Sequence, residues 1–155
     1  MAVFYLDTSV LLVYTLASGK EPERYSAVEQ LFSHIEDEHL TAVTSFYALH
    51  ELYVFALEHA PDFEIGTAYG KDAMGQILAT KIQVTPLLSR MERKINERLF
   101  RKLRDATDIP HAVSAKIWGC EGLVAYDDHF TAITDVLEHV TPEQLLPRLR
   151  VSQPS

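Results

Sequence analysis

The sequence of 155 residues lacks the features that identify several large classes of protein. It has a single cysteine, Cys120, which excludes an internal disulfide and makes a reducing compartment, the cytoplasm, the expected location. Its apolar runs are far shorter than the roughly 20 residues of a transmembrane helix, and its first residues do not read as a signal peptide. A glycine-rich phosphate loop and a G-x-S-x-G motif are both missing, which removes the usual signals of a nucleotide site or a serine hydrolase.

Positive charge is scarce as well, because the formal net charge is −8 at pH 7. This balance argues against binding nucleic acid by bulk electrostatic attraction. The exception is the window 90–104, which holds 7 of the 14 basic residues against 2 acidic ones, so that its charge is +5 and that of the remainder is −13. The window is either a solvated helix face or a strip that binds phosphate groups. The second interpretation selects as candidate nucleic-acid contacts Arg93, Lys94, Arg98 and Arg101.

Short apolar runs alternate along the chain with stretches of helical period. Buried strands are predicted at 2–6, 40–44, 82–85 and 122–126, with a short edge strand at 136–140. Helices are predicted at 9–18, from Pro22, from the N-cap Ser45 to 59, from Pro86 to 103, at 107–119 and from Thr141; three glycines weaken the helical pattern of 62–80. The alternation predicts an α/β fold with a parallel sheet. We expect one domain over residues 1–150 and a frayed tail over 151–155.

Asp7 is the carboxylate around which the chain is organised. It directly follows the apolar run Val3–Leu6, and the next residues, Thr8 and Ser9, are of types that begin helices. Asp7 therefore falls at the carboxyl end of a buried strand, which is where open α/β sheets bind their ligands. An unpaired charge is costly to bury there, so Asp7 requires a partner.

Two further aspartates occupy comparable positions. Asp127 follows the apolar run 122–126 and so repeats the situation of Asp7, although a turn formed with Asp128 explains it as well. Asp128 itself should point to the opposite side. Asp108 lies at the head of the predicted helix 107–119, where a plain N-cap is the simpler explanation. Asp105, one turn earlier, is a less specific candidate.

Glu51 is the fourth carboxylate, and it lies in a predicted helix that is apolar nearly all round. We expect that helix to be largely buried and Glu51 with it, either as a functional group or as the partner of an arginine elsewhere. Two nearby histidines have simpler explanations. His50 falls on another helical face and is expected to be structural, and His111 is expected to be a hydrogen-bonded packing residue.

Taken together, these four acids predict a cation site. Two strand ends and two helices of one sheet can converge at one edge. Two carboxylates about 4 Å apart repel by roughly 4 kcal/mol at an effective dielectric constant near 20. A cluster of three or four acids requires protonation or bound cations. Oxygen ligands favour a hard ion, Mg²⁺ or Mn²⁺, over zinc.

Four motifs follow one another along the chain: Tyr5-Leu6-Asp7-Thr8-Ser9-Val10-Leu11, His50-Glu51-Leu52, Asp108-Ile109-Pro110-His111-Ala112-Val113-Ser114-Ala115 and Asp127-Asp128-His129-Phe130. In order and separation they resemble the PIN domain family, and especially the VapC-type toxins, which are the ribonuclease halves of toxin–antitoxin pairs. The resemblance extends over nearly the whole chain. Each motif is only moderately specific, whereas the four in order are a strong signal.

The resemblance implies a three-layer α/β/α fold with a central parallel sheet of four to five strands. It implies an endoribonuclease that uses Mg²⁺ or Mn²⁺ to hydrolyse single-stranded or loop RNA and leaves 5′-phosphate and 3′-hydroxyl ends. It also implies a small antitoxin protein as partner and a homodimer. The implied catalytic and metal-binding residues are Asp7, Glu51, Asp108 and Asp127, supported by Thr8 and Ser9.

Three other interpretations stay open on the sequence. A catalytically silent PIN-like scaffold would bind RNA or protein, but it has no need of four acids. A solitary RNA-processing nuclease would use the same site without an antitoxin. A receiver-type or phosphatase-like domain would use Asp7 as phospho-acceptor or nucleophile, but those families place a second acid close to the first, and Thr8-Ser9 does not supply one.

Overall fold

The computed structural model describes residues 2–151. Within these residues the strands are β1 (Val3–Leu6), β2 (Thr41–Ser45), β3 (Gln83–Thr85), β4 (Gly122–Val124) and β5 (Glu138–Val140). They form one sheet in the order β3-β2-β1-β4-β5, and each neighbouring pair is parallel. β1 is therefore central, with β2 and β4 beside it. The tail predicted over 151–155 lies outside the described residues except for Val151, which ends the last helix.

Helices cover both faces of this sheet. They are α1 (Thr8–Thr15), α2 (Pro22–Glu36), α3 (Phe46–His59), α4 (Phe63–Leu78), α5 (Arg90–Asn96), α6 (Ile109–Ile117) and α7 (Pro142–Val151), with 3₁₀ helices at Glu97–Phe100 and Asp128–Ile133. Alternate side chains of β1 enter different cores, since successive strand residues point to opposite faces. Phe4 and Leu6 pack with α1, α2, α3, α4 and α7, and Tyr5 packs with α6 and Phe100. The predicted three-layer α/β/α fold is confirmed.

The prediction of a long basic helix from Pro86 to residue 103 is wrong. Ser89 caps a seven-residue helix, α5, and forms a capping box with Glu92. A 3₁₀ helix follows at Glu97–Phe100, and Phe100 and Leu103 are buried in the core beneath α6. The Ser-x-x-Glu signal of this start is present in the sequence. The early end has a tertiary cause, because the chain turns tightly to bury two apolar side chains three residues apart.

The glycine-containing stretch 62–80 folds as the helix α4, which packs along α3. Gly66 and Gly70 are buried in this contact, and a Cβ atom built on Gly70 would lie 2.5 Å from Tyr53 Cδ2. Gly75 is exposed, with no heavy atom of its described surroundings within 4 Å of such a Cβ. Two of the three glycines therefore allow the close approach of two helices. Among the helices of residues 2–151, none combines the length and the apolar character needed to span a bilayer.

The first helix is shorter than predicted, because α1 ends at Thr15 and not at residue 18. Its start agrees with the sequence, since Asp7 is the N-cap and accepts a hydrogen bond from the amide of Ser9. Ser45 is likewise the N-cap of α3 and accepts from the amide of Ala48. Asp7 directly follows β1 and Ser45 is the last residue of β2, so both strands deliver a helix start to the same edge of the sheet.

Candidate active site

The four predicted acids, Asp7, Glu51, Asp108 and Asp127, line one open cleft of about 490 Å³ at the carboxyl edge of the sheet. Each comes from a different element: the end of β1, the second turn of α3, the start of α6 and the turn after β4. The carboxyl ends of parallel strands share an edge, so residues far apart in the chain meet there.

Asp7 is held in place by Ser9. Its Oδ2 accepts hydrogen bonds from the Ser9 amide at 3.2 Å and from the Ser9 hydroxyl at 2.8 Å, and the residue is only 6% exposed. The amide of Asp7 donates to Val124 O at 3.0 Å, and Ser9 Oγ in turn accepts from the Tyr126 amide at 3.0 Å. Ser9 thus ties the carboxylate that follows β1 to the end of the neighbouring strand β4.

Glu51 has two polar partners, and neither is an arginine. Thr8 Oγ1 donates to its Oε2 at 2.7 Å, and His111 Nε2 lies 2.9 Å from its Oε1. Partial burial would raise the pKa of Glu51, but the hydrogen bond and charge of His111, together with Thr8, outweigh it and lower that pKa below its ordinary value. Glu51 is therefore ionised at neutral pH. Of the two alternatives left open for Glu51, the pairing with an arginine is not found among the described residues.

The expectation that α3 is largely buried and that Glu51 is buried with it is wrong. The Glu51 side chain is 39% exposed, because the face of α3 that carries it forms one wall of the cleft. His50 is exposed and lines the same cleft, so the structural role expected for it does not describe its position. Glu58, seven residues after Glu51 on this wall, is a cleft residue that the sequence analysis missed. The signal was its helical spacing from Glu51.

Asp108 occupies the N-cap position of α6, but its side chain caps none of the described amides of that helix. Its carboxylate faces the cleft and is 13% exposed. Burial, followed by the negative charges of Asp105 and Asp127, raises the pKa of Asp108 to about 6, against an opposing hydrogen bond from His129. A plain N-cap therefore does not account for this aspartate.

Asp127 and Asp108 share a histidine that was not among the predicted site residues. Asp127 Oδ1 accepts from the His129 amide at 2.9 Å, so Asp127 does form the turn that the sequence suggested. The ring Nδ1 of His129 lies 3.2 Å from Asp127 Oδ1 and 3.3 Å from Asp108 Oδ2. The charge of Asp127 and the hydrogen bond with Asp108 raise the pKa of His129. The Asp-x-His spacing was the available signal.

The remaining candidates lie outside the acidic cleft. Asp105 accepts hydrogen bonds from the amide and hydroxyl of Thr107. Asp128 begins a 3₁₀ helix and, with Asp105, lines an adjacent depression that also includes Lys102 and Arg104. The four predicted nucleic-acid contacts in and after α5 are exposed and likewise lie outside the residues that line the cleft: Arg93, Lys94, Arg98 and Arg101.

The donors of the cleft fit a divalent cation. One ligand atom each from Asp108, Asp127 and His129 lies within 4.8 Å of the others. Neighbouring ligands of an ion with metal–ligand distances of about 2.1 Å and octahedral geometry lie roughly 3 Å apart, close to the separations from His129 Nδ1. Carboxylate oxygens suit Mg²⁺ and Mn²⁺, and an imidazole nitrogen is compatible with Mn²⁺. Burial and, after it, the neighbouring carboxylates raise the pKa of Asp108, and a bound cation would offset both effects.

Comparison with solved structures identifies the fold. VapC20 of Mycobacterium tuberculosis, a toxin that cleaves the sarcin–ricin loop, aligns with a TM-score of 0.62 at 18% identity over 84% of this chain and 94% of its own. VapBC2 of Rickettsia felis, bound to a DNA fragment from its promoter, gives 0.61 at 16% identity over 90% and 98%. VapBC-1 of nontypeable Haemophilus influenzae gives 0.58 at 18% identity over 91% and 98%. Comparison with protein-family models and with curated protein sequences gives no match. The chain thus has the fold of the VapC toxins, the PIN fold.

Proposed function

We propose that the protein is a Mg²⁺- or Mn²⁺-dependent endoribonuclease whose catalytic and metal-binding residues are Asp7, Glu51, Asp108 and Asp127. The observation that carries the proposal is the meeting of these four acids, from four elements, in one open cleft. A scaffold that only binds would be stabilised by replacing them, because their mutual repulsion is unfavourable without a cation. The PIN fold of the chain and of the VapC toxins supports the same assignment.

The chain's own groups have distinct parts in this proposal. Thr8 and Ser9 hold Glu51 and Asp7 by short hydrogen bonds, so these carboxylates are oriented before any ligand arrives. His129 lies between Asp108 and Asp127, with Nδ1 3.3 Å and 3.2 Å from a carboxylate oxygen of each, and these two acids raise its pKa. The chemistry that a divalent ion supplies when bound is a lower pKa for water and stabilisation of charge on the phosphoryl oxygens. The cleft residues include no cysteine or lysine, and the hydroxyls of Thr8 and Ser9 donate to Glu51 and Asp7, so direct attack by water on the phosphodiester is the proposed reaction.

The proposed substrate is single-stranded or loop RNA. A cleft of this acidity repels a phosphate backbone, so RNA must gain affinity elsewhere on the surface. The proposed contacts are the exposed basic residues of the strongly basic window 90–104: Arg93, Lys94, Arg98 and Arg101. The description of VapC20 as a toxin that cleaves an RNA loop supports a structured loop as target.

We further propose that the protein is a toxin, inhibited by a small antitoxin protein, and that it forms a homodimer. Two of the structural neighbours are VapBC assemblies, which supports a protein partner. Several large apolar side chains on and around α3, α4 and α5 are 51–71% exposed, as expected of surfaces that another chain covers: Phe46, Tyr69, Leu78, Leu87, Met91 and Ile95. Sedimentation of the purified chain at several concentrations tests the homodimer, and a monomer at every concentration contradicts it.

The experiment that tests the nuclease is cleavage of total RNA with Mn²⁺ or Mg²⁺, with and without a chelator, by the wild type and by Asp7→Asn. We expect metal-dependent cuts with 5′-phosphate ends that are lost in Asp7→Asn. Asp62→Asn is the matched control, because Asp62 is also an N-cap, accepting from the Ile65 amide, but lies on the surface at α4.

Calorimetric titration of Mn²⁺ into the same proteins separates a missing substrate from a missing site. Wild-type protein that binds Mn²⁺ and Asp7→Asn that does not would support the site even with a selective RNA target. Wild-type protein that binds no divalent ion would contradict the proposal and favour the scaffold. Cleavage that persists in the chelator, or in Asp7→Asn, would contradict it as well.

A further inference from the structure

A chain of hydrogen bonds leads from the cleft into the protein interior. It begins at Glu51 Oε1, which lies 2.9 Å from His111 Nε2. The other ring nitrogen of His111, Nδ1, lies 2.6 Å from the hydroxyl of Tyr5, and that hydroxyl lies 2.6 Å from Ser45 Oγ. We call Glu51, His111, Tyr5 and Ser45 the buried relay. Its four members come from α3, α6, β1 and the end of β2.

The proton positions in the buried relay follow from its two ends. Glu51 is ionised and can only accept, so His111 Nε2 carries a proton and donates it to the carboxylate. At the other end Ser45 Oγ accepts from the Ala48 amide at 3.3 Å, which leaves its own proton for Tyr5. Tyr5 keeps its proton at neutral pH, because burial holds its pKa well above the ordinary value. In the neutral imidazole form of His111, Tyr5 donates to Nδ1, so every member has a partner.

The polar groups of the relay are buried, so they do not serve simply to keep the protein surface hydrated. Tyr5 and Ser45 are fully buried and His111 is 1% exposed. A polar group is costly to bury unless it is hydrogen-bonded, so apolar residues of similar size would be the simpler core. The three interior members instead extend from the sheet to one carboxylate of the cleft. The Tyr5 and His111 rings also pack edge to face at 5.8 Å, which restricts rotation of the imidazole.

His111 joins the two helical layers at the edge of the sheet. Glu51 lies on α3 in one layer and His111 on α6 in the other. The Nδ1 atom of His111 is also 4.0 Å from Asp7 Oδ1, so one ring lies beside two of the four cleft acids. A hydrogen bond from the opposite layer therefore sets where the Glu51 carboxylate stands relative to Asp7.

We propose that His111, oriented by Tyr5 and Ser45, is a positioning residue that fixes the Glu51 carboxylate for divalent-cation binding. The inference rests on the proposed function, and it assigns a role to three interior residues that the four acids do not require. Groups that orient a metal ligand typically contribute about 10- to 100-fold to metal affinity. The three interior members of the relay thus set the affinity of the cleft for its ion, although they touch neither ion nor RNA.

The test is calorimetric titration of Mn²⁺ into the full-length chain. We expect His111→Leu, which fills the space without a donor, to bind Mn²⁺ about tenfold more weakly or worse. His111→Gln keeps an N–H donor at a similar reach and should recover most of the affinity. Tyr5→Phe keeps the ring and its packing, so it tests the relay even if His111→Leu fails to fold. It should weaken binding by a smaller factor than His111→Leu.

Ser114→Ala is the matched control. Ser114 lies one turn after His111 on α6, is fully buried, and its hydroxyl has no hydrogen-bond partner among the described residues. Its replacement removes a buried hydroxyl from the same helix without touching the relay, so Mn²⁺ affinity should be that of the wild type. Circular dichroism melting curves of every variant show which of them are folded.

A double-mutant cycle distinguishes positioning from general stability. If His111 acts through Glu51, His111→Leu should cause no further loss of Mn²⁺ affinity in a Glu51→Gln background. Equal losses in both backgrounds, or wild-type affinity in His111→Leu and Tyr5→Phe, would overturn the inference. Wild-type protein that binds no Mn²⁺ would instead overturn the proposed function itself. A wild type that binds and cleaves while the relay variants match it would remove only the positioning role.

Discussion

Thr8 Oγ1 donates a 2.7 Å hydrogen bond to Glu51 Oε2, which joins the first turn of α1 to the second turn of α3 across the cleft. Thr8 is 7% exposed and immediately follows Asp7. The first residue of α1 therefore orients the acid supplied by a different helix. The sequence places a hydroxyl beside Asp7, but only the folded chain brings Glu51 to it.

Thr8→Val should uncouple these two helices with little change in shape. Valine has nearly the size of threonine, so the fold should persist, while Glu51 loses a donor that helps to hold it. We expect Mn²⁺ affinity and RNA cleavage to fall by about 10-fold. Thr8→Ser retains the hydroxyl and should remain within a small factor of the wild type. Calorimetric titration and cleavage assays check both variants, and unchanged affinity in Thr8→Val would show that this bond does not position Glu51.

Asp108→Asn should stabilise the metal-free protein at neutral pH. The pKa of Asp108 in the folded protein is about 6, above that of an exposed aspartate, so the folded chain binds this proton more tightly than the unfolded chain. The wild type therefore loses stability as the pH rises from about 4 to 6. Asparagine does not ionise, so Asp108→Asn does not show this loss. We expect a gain of roughly 1–2 kcal/mol at pH 7 after screening by solvent.

Thermal melts of the wild type and Asp108→Asn at pH 4.5 and pH 7, first with a chelator and then with excess Mn²⁺, measure the difference in stability. The advantage of Asp108→Asn should be small at pH 4.5 and larger at pH 7, and added Mn²⁺ should reverse it by stabilising only the wild type. Asp128→Asn is the control, because Asp128 is exposed and lies outside the residues that line the cleft. If Asp108→Asn raised the melting temperature equally at both pH values, ionisation of Asp108 would not be what destabilises the wild type.

The glycines of α4 should differ sharply in their response to alanine. Gly75→Ala should stabilise the protein by about 1 kcal/mol, because alanine favours the helix and its Cβ meets open space. Gly70→Ala places a Cβ 2.5 Å from Tyr53 Cδ2 and so forces the ring or the helix to move. Overpacking of this kind typically costs about 1–3 kcal/mol. Urea unfolding of the two variants measures the contrast, and equal stabilities would mean that α3 and α4 are not closely packed at Gly70.

Charge reversal in the basic window should weaken RNA binding and reduce its dependence on salt. For Arg98→Glu and Arg101→Glu, measured in an Asp7→Asn background with a short single-stranded RNA, each lost phosphate contact should lower the slope of log Kd against log salt by about 0.7. Lys71→Glu, an equally exposed reversal on α4, is the control and should leave the slope unchanged. If all three variants behave alike, the window is a solvated surface.

Local sequence signals located most of the fold. The apolar runs of β1 and β4 identified strands buried in a parallel sheet, and the N-caps Asp7 and Ser45 marked where helices follow them. They failed where packing between elements overrode the local pattern. The basic window does not form the predicted long helix, because the chain turns to bury Phe100 and Leu103 in the core. In α4, Gly66 and Gly70 lie where this helix packs closely against α3.

For the candidate site, the sequence by itself determined which residue types stand at the ends of β1 and β4, because strand burial and helix starts are local properties. Those local signals selected Asp7, Asp108 and Asp127, and the apolar pattern of a helix selected Glu51. Only the tertiary structure decided what surrounds them. The partners of Glu51 come from α1 and α6, and the shared histidine of Asp108 and Asp127 comes from the 3₁₀ helix Asp128–Ile133. Hydrogen bonds and charge repulsion depend on distances that sequence separation does not reveal.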